Sequence, residues 1–256
     1  MTTVPRLYID VALAEGAPAQ LTAEQAHYLK NVLRRAPGDA VRVFNGHSGE
    51  FAATIGELGK KGGAVALGAQ LRRPEAETDV WLLVAPVKRG PLEAIVQKAT
   101  ELGVGRILPA LTERSNAQKV NEQRLGAIAL EAAEQCGRLT IPSVEPARQL
   151  PTLLERWPQE RRLVFCDEGG DDPGAEWGGP SGRALPLLEA LAGGAAGPWA
   201  ILIGPEGGFS PSERALLRAL PFVSPVTLGP RILRADTAAI AALALWQAAL
   251  GDLKRT

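Results

Sequence analysis

The sequence predicts an α/β protein in two parts: a parallel sheet covered by helices on both faces, preceded by a small β-barrel. Three observations predict it. Before residue 73, short runs rich in β-branched and aromatic residues are broken by glycine turns and accompany a single helical segment. After residue 79, apolar runs of strand length alternate with segments of helical periodicity. Between them, RRPEAET (72–78) is charged and unpatterned, so the domains are expected at 1–73 and 74–256. A length of 256 residues fits that division, at ~150 residues per domain.

In the first part, RLYI (6–9), AVRVFN (40–45), EFAATI (50–55) and AVALGAQL (64–71) are the expected strands, with turns at NGHSG (45–49) and GELGKKGG (56–63). The helix LTAEQAHYLKNVLRR (21–35) opens with Thr22 and Gln25 at capping-box spacing and stops before Gly38. In the second part, VWLLVA (80–85), RILPAL (106–111), RLVFC (162–166), WAILIG (199–204) and FVSPVTL (222–228) are expected strands. Their apolar character on both faces is what a buried parallel sheet requires. Helices are expected at 91–103, 121–136 and 235–250, each pair of strands being separated by helical or loop sequence. The stretch 169–182, with six glycines and two prolines, reads as a loop.

Composition narrows the function. The chain is 46% apolar and 22% charged, enough for an ordinary core. The longest apolar run, Ala238 to Trp246, is far short of the ~20 residues of a membrane span. No apolar signal core follows MTTVPRLYID, so a soluble cytoplasmic protein is expected. Cys136 and Cys166 read as small buried apolar groups; with only His27 and His47 as further soft ligands, no metal site is expected. Net charge is zero, yet residues 1–73 carry nine Lys and Arg against six Asp and Glu, a mild excess compatible with a polyanion.

Two segments carry chemistry. In ILIGPEGGFSPSE (201–213) an apolar strand runs into a glycine turn, and Ser210, Pro211 and Glu213 then form a strong helix start. Such a turn at the carboxyl end of a parallel strand is where sheet ligands bind. A phosphate is disfavoured: the turn has neither a P-loop Lys-Ser/Thr nor GxGxxG, and Glu206 would repel it. A ligand neutral or positive at its reactive centre fits better. LGPRILRADTAA (228–239) repeats the construction, with Arg231 and Arg234 in the turn and Asp236 or Thr237 expected to open the last helix. Two such turns at one sheet edge could form one pocket, whereas a single arginine there would more simply pair with an acidic neighbour.

Together GPEGGFSPSE and LGPRILRADTA closely resemble the two cofactor-loop motifs of the RsmE-type methyltransferases of the SPOUT class, which methylate a uridine of 16S ribosomal RNA at the position-three ring nitrogen. The resemblance covers nearly the whole chain. HYLKNVLRRAPGDAVRVFNGHSGEF (27–51) is similar to that family's PUA-like barrel, and KRGPLEAIVQKATELGVGRILPALTERS (88–115) and EAAEQCGR (131–138) to its first catalytic segments. Departures are small: Asp236 stands where the family commonly has Glu, and Cys136 where it has Ser, while 169–182 matches no motif.

The resemblance implies a trefoil-knotted SPOUT methyltransferase domain after a PUA-like RNA-binding barrel, acting as a homodimer on 16S ribosomal RNA or the small ribosomal subunit, with S-adenosyl-L-methionine as cofactor and no metal. It places cofactor contacts at Ile203, Gly204, Glu206, Gly207 and Gly208 in the first turn, and at Leu228, Gly229, Ile232, Leu233, Arg234 and Thr237 in the second. The residue chemistry agrees, since a sulfonium cation tolerates Glu206 and adenine needs apolar walls. The acceptor nitrogen must lose a proton, and arginine donors would stabilise the anion; Arg234 is the first candidate, with Arg114 next. Glu206 is either a base or, preferably, a group that orients an arginine. RNA contacts are expected at Arg34, Arg35, Lys60, Lys61, Lys88 and Arg138. Ribose or guanosine-nitrogen methylation, and a non-catalytic RNA-binding assembly factor, are the competing readings. Gln97, where related ribose methyltransferases carry an arginine, weighs against the first.

Overall fold

In the computed structural model of the chain, which describes residues 4–115, 119–167, 174, 176, 182–194 and 197–254, the amino-terminal strands pair in one five-stranded sheet. Its strands are β1 (Arg6–Tyr8), β2 (Pro18–Leu21), β3 (Ala40–Asn45), β4 (Gly49–Gly59) and β5 (Gly62–Arg72), in the order β1-β3-β4-β5-β2. Alternation puts Val41, Val43, Phe51, Ile55 and Val65 into a common core with Leu7, Leu21 and Leu29. GELGKKGG is hairpin rather than an extended turn: β4 and β5 pair as far as Gly59 and Gly62, leaving Lys60 and Lys61 as the two-residue tip. Strand β2 is not foreseen by its sequence because PAQL has little β propensity; its proline is tolerated at the sheet edge.

Helix α1 (Ala23–His27) starts at the expected Thr22–Gln25 capping box. It is shorter than the periodicity predicts. From Tyr28 to Val32 the backbone widens into a π-helical stretch, with the Leu33 N–H bonding the Tyr28 carbonyl at 2.9 Å, and Arg34 leaves it in a left-handed conformation (φ 54°). Residues up to Ala76 form one compact unit together with Ala133–Ile141. Arg6 explains that membership: its guanidinium donates to the Ala133, Glu134 and Arg138 carbonyls at 2.8 to 3.0 Å while pairing with buried Glu50 at 2.8 Å.

The second unit, Glu77–Ala132 with Pro142–Thr256, is built on a fully parallel sheet. Its strands are β6 (Val80–Val84), β7 (Arg106–Leu111), β8 (Ser143–Val144), β9 (Arg148–Gln149), β10 (Arg162–Cys166), β11 (Leu185–Pro186), β12 (Trp199–Ile203) and β13 (Val223–Thr227). Their order is β11-β13-β10-β12-β6-β7-β8, with β9 also pairing β7. The helices are α2 (Arg89–Glu101), α3 (Glu122–Cys136), α4 (Leu150–Glu155), α5 (Leu187–Leu191), α6 (Pro211–Arg218) and α7 (Ala235–Leu250). On one face Leu83, Leu163, Phe165, Leu202 and Phe209 pack with Leu150 and Trp157. Helix α7 packs on α2, α5 and β12.

Two expectations are corrected. Cys136 is exposed rather than buried, lying at the last position of α3, whereas Cys166 is buried at the end of β10. Neither Asp236 nor Thr237 caps α7: Arg234 occupies the cap with extended backbone and no side-chain bond, and the Asp236 carboxylate accepts the Thr237 N–H inside the first turn at 2.8 Å. The glycine-rich stretch 169–182 lies outside the described residues except at 174, 176 and 182. Among the described residues no helix is long and apolar enough to cross a membrane.

Candidate active site

Strands β12 and β13 flank β10, so the turns that follow them emerge about 10 Å apart at the carboxyl edge of the sheet, two strand spacings. That edge is where a parallel sheet binds ligands. The first turn begins at Ile203, whose side chain is buried in the sheet; only its backbone reaches the edge, and its carbonyl accepts the Ala85 N–H at 2.9 Å. The Gly208 N–H closes the turn on the Pro205 carbonyl at 2.9 Å, with Gly208 left-handed at φ +65°.

Several contacts brace this turn. A Cβ at Gly204 would lie 2.5 Å from the Phe209 ring, which is itself held edge-on to Phe165 at 4.9 Å; the glycine admits the ring beneath the turn. Ser210 and Glu213 form the expected capping box at the start of α6. Glu213 also does something its motif does not reveal. One carboxylate oxygen takes the Ser210 N–H and the other takes the Glu113 N–H, each at 2.9 Å, so the loop after β7 is tied to the turn after β12. The Ser212 hydroxyl adds a bond to the Glu113 carboxylate at 2.9 Å, and Arg114 donates to the Gly207 carbonyl at 3.0 Å. Arg114 and the glycine turn, expected in one site, are therefore in direct contact.

The second turn is differently supported. Thr227 Oγ accepts the Gly229 N–H at 3.2 Å, and Gly229 is left-handed at φ +112°. Arg231, Ile232 and Arg234 are exposed, Ile232 to 83%, so its side chain is turned out to solvent. The Arg234 guanidinium forms neither a hydrogen bond nor an ion pair among the described residues. Thr237 is exposed in the first turn of α7. A crevice here is bounded by Leu228, Gly229 and Leu233 of the turn, by Thr227 and Arg231, and by Cys166, Val226 and Ala238. Its volume is about 10 Å³, room for one water molecule.

These residues fit S-adenosylmethionine in kind. The crevice is lined mostly by apolar side chains, with Thr227 and Arg231 as its polar members, a mixture an adenine ring accepts. Among the described residues, no atom beyond the chain neighbours lies within 4 Å of where a Cβ would stand on Gly208 or Gly229, so both backbones are open to close approach. Glu206 is exposed at the tip of the first turn.

Asp167, which no sequence motif singles out, stands directly after β10 between the two turns. It is buried, and its carboxylate accepts from Arg214 at 2.8 Å and from Arg218 at 2.7 Å, fixing α6 to the sheet edge. Its signal in the sequence is an acid immediately following an apolar strand. Lys88, exposed at the cap of α2, follows β6 at the same edge. Nearby, hydrogen bonds from Arg124 and then Arg89 hold the Glu93 carboxyl at about 2, well below its ordinary 4.5. The remaining RNA candidates lie in the amino-terminal unit. Arg34 follows the π-helical stretch, Arg35 is half-buried beside it, and Lys60 and Lys61 form the β4–β5 tip. Arg138 donates to Thr140 Oγ at 3.0 Å.

Similarity to known proteins separates the readings. The model of an RNA methyltransferase domain matches residues 74–247, and that of an RNA methyltransferase PUA domain matches 21–66. Ribosomal RNA small subunit methyltransferase E of Rickettsia conorii is 34% identical over 93% of this chain and 93% of its own. The Bacillus subtilis protein of that name is 30% identical over 93% and 94%. A crystal structure of the Neisseria gonorrhoeae protein of the same name, bound to S-adenosyl methionine, superposes with a TM-score of 0.79 at 26% identity, covering 98% of this chain and 99% of that one. A putative methyltransferase of Legionella pneumophila, in complex with the same cofactor, gives 0.78 at 29%, covering 98% and 100%. The fold is thus a PUA domain followed by a SPOUT methyltransferase domain, and the chain belongs to the ribosomal RNA small subunit methyltransferase E family.

Proposed function

We propose that this protein is an S-adenosylmethionine-dependent methyltransferase that modifies the position-three nitrogen of a uridine in 16S ribosomal RNA, within the cytoplasm. The observation that carries the reading is the end-to-end match to the methyltransferase E family with both glycine turns in place at one sheet edge. When bound, the cofactor supplies an electrophilic methyl group on a sulfonium. The backbone of 204–208 and of 228–233 would hold it, with Leu228 and Leu233 against its adenine.

The chain's own residues then prepare the acceptor. Arg234, exposed and uncommitted beside the crevice, donates to the uracil oxygens that take up charge as the ring proton leaves. Arg114, seated on the Gly207 carbonyl, orients the RNA backbone or shares that charge. Glu206 orients the arginines rather than taking the proton, which passes to solvent water at this exposed edge. The amino-terminal unit contacts RNA through Arg34, Arg35, Lys60, Lys61 and Arg138, and in the second unit Lys88 adds a phosphate contact of its own.

Two further features belong to this reading. The chain crosses from β12 past β10 to β13 and returns as α7 against β12 and α2, a course that supports a trefoil knot. The exposure of Ile232 and of Ile240 on α7 supports a homodimer in which a second copy covers them. The test is to map modified nucleosides in ribosomal RNA from a deletion strain and its complemented partner. One 3-methyluridine should disappear and return. Loss of a ribose-methylated or guanosine-methylated nucleotide instead would change the acceptor, and no loss together with no cofactor binding would leave an RNA-binding factor.

A further inference from the structure

A cavity of about 270 Å³ opens away from the glycine turns, beside the starts of β6 and β7 and against α4. Its apolar lining is Trp81, Leu108, Leu153 and Trp157. The Trp157 indole N–H is spent on the Arg161 carbonyl at 2.8 Å, and its ring is stacked on Phe222 and edge-on to Trp81, so the floor is rigid. The Arg106 guanidinium lies 4.4 Å over the Trp81 ring with its side chain 44% exposed. Glu145 holds that guanidinium at 3.4 Å.

Arg148 and Arg156 also line it. Both are exposed, and among the described residues neither guanidinium forms a hydrogen bond or an ion pair. Three arginines thus face one carboxylate around an aromatic floor, in a space near the low end of ligand pockets. A purely structural cluster would pair its charges, as Arg161 does with Asp79 at 2.7 Å nearby.

We infer that this cleft is a second RNA-binding site, taking one nucleotide of a single-stranded segment. Arg148 and Arg156 hold its phosphate, its base extends the Arg106–Trp81 stack, and the Glu145 carboxylate accepts a base N–H. The inference rests on the reading of the protein as an RNA methyltransferase. It adds to that reading a grip remote from the chemistry, which would select how the RNA is presented rather than how it reacts.

The test uses the full-length protein and its double variant Arg148→Ala/Arg156→Ala. Both side chains are exposed, so the melting temperature and cofactor affinity should not change. Affinity for a short single-stranded oligoribonucleotide should fall about tenfold to a hundredfold, and the slope of log affinity against log salt should drop by ~0.7 for each phosphate no longer neutralised. Uridine monophosphate should quench tryptophan fluorescence in the wild type and not in the variant. Unchanged RNA affinity and salt slope would overturn the inference, as would displacement of the monophosphate by polyglutamate but not by RNA. The two readings fail separately: arginine-dependent RNA binding without any methylation would spare the cleft and remove the enzyme.

Discussion

The two glycine turns look alike in sequence and differ in support. The turn after β12 is closed on itself, backed by Phe209, and tied through Glu213 and Arg114 to the loop after β7. The turn after β13 is held by the Thr227 hydroxyl, which accepts the Gly229 N–H and donates to the Gly229 carbonyl, and its arginines and Ile232 stand exposed. A strand, glycine turn and helix start is therefore one sequence pattern serving two tasks. The braced turn offers a surface already in its final shape, so little ordering cost remains when a ligand meets it. The open turn leaves the Arg231 and Arg234 side chains exposed to solvent beside a crevice of about 10 Å³.

The sharpest way to break this comparison is Gly207→Val. A Cβ there would meet only Arg114, at 3.6 Å and 3.8 Å, an ordinary contact, so the protein should fold normally while saturable cofactor binding disappears. Normal binding by isothermal titration would show the braced turn to be scaffolding only. Next is Arg234→Lys, expected to lower the single-turnover rate at saturating substrate by about tenfold to a thousandfold with cofactor affinity and melting temperature nearly unchanged. Raising the pH should recover part of the loss, since the uracil then ionises unaided; a parallel loss of stability and affinity with no recovery would make Arg234 a brace.

A smaller effect is expected from Glu213→Ala, which leaves the Ser210 and Glu113 N–H groups without their acceptor. It should cost about 1–3 kcal/mol in thermal or urea unfolding. The equivalent change in the open turn, Asp236→Ala, removes only a bond within one helical turn and should stay within about 0.5 kcal/mol. Equal costs would erase the distinction. The smallest effect concerns Glu93 at the same edge. Its carboxyl should titrate near pH 2 by NMR, and Arg124→Ala should return it toward 4.5. Because the folded value is the depressed one, its ion pair contributes in full above pH 4.5 and fades as pH falls toward 2. A midpoint already near 4.5 in the wild type would show the pair to be unformed in solution.

What is legible in the sequence follows from what acts locally. The strands 40–45, 106–111 and 162–166 and the helix 235–250 appear with the expected bounds, because apolar runs and periodicity are local properties. The Thr22 and Ser210 capping boxes are legible for the same reason. What escapes is long-range. PAQL becomes a strand only because β5 offers it an edge, and the π-helical stretch after His27 answers to the placement of Leu29 in a core assembled from distant strands. At the site, the glycines and arginines can be named from their turns, but the second bond of Glu213 spans one hundred residues. Asp167 gains its meaning only from Arg214 and Arg218. Apolar character alone also misplaces Ile203 and Ile232, one sealed in the sheet and the other turned out to solvent.

The Arg6 side chain bears on biosynthesis. Its donors meet the carbonyls of Ala133, Glu134 and Arg138, and Arg72 donates likewise to Gly137 at 2.6 Å. A nascent chain folds from its amino terminus as it leaves the ribosome, yet the first unit lacks these acceptors when β5 has emerged. It reaches its full set of bonds only after β6, α2, β7 and α3 have been synthesised. A gene fragment cut at the apparent boundary near residue 73 would therefore encode a unit whose Arg6 and Arg72 lack their carbonyl acceptors, and shuffling this unit between proteins requires two splice points instead of one.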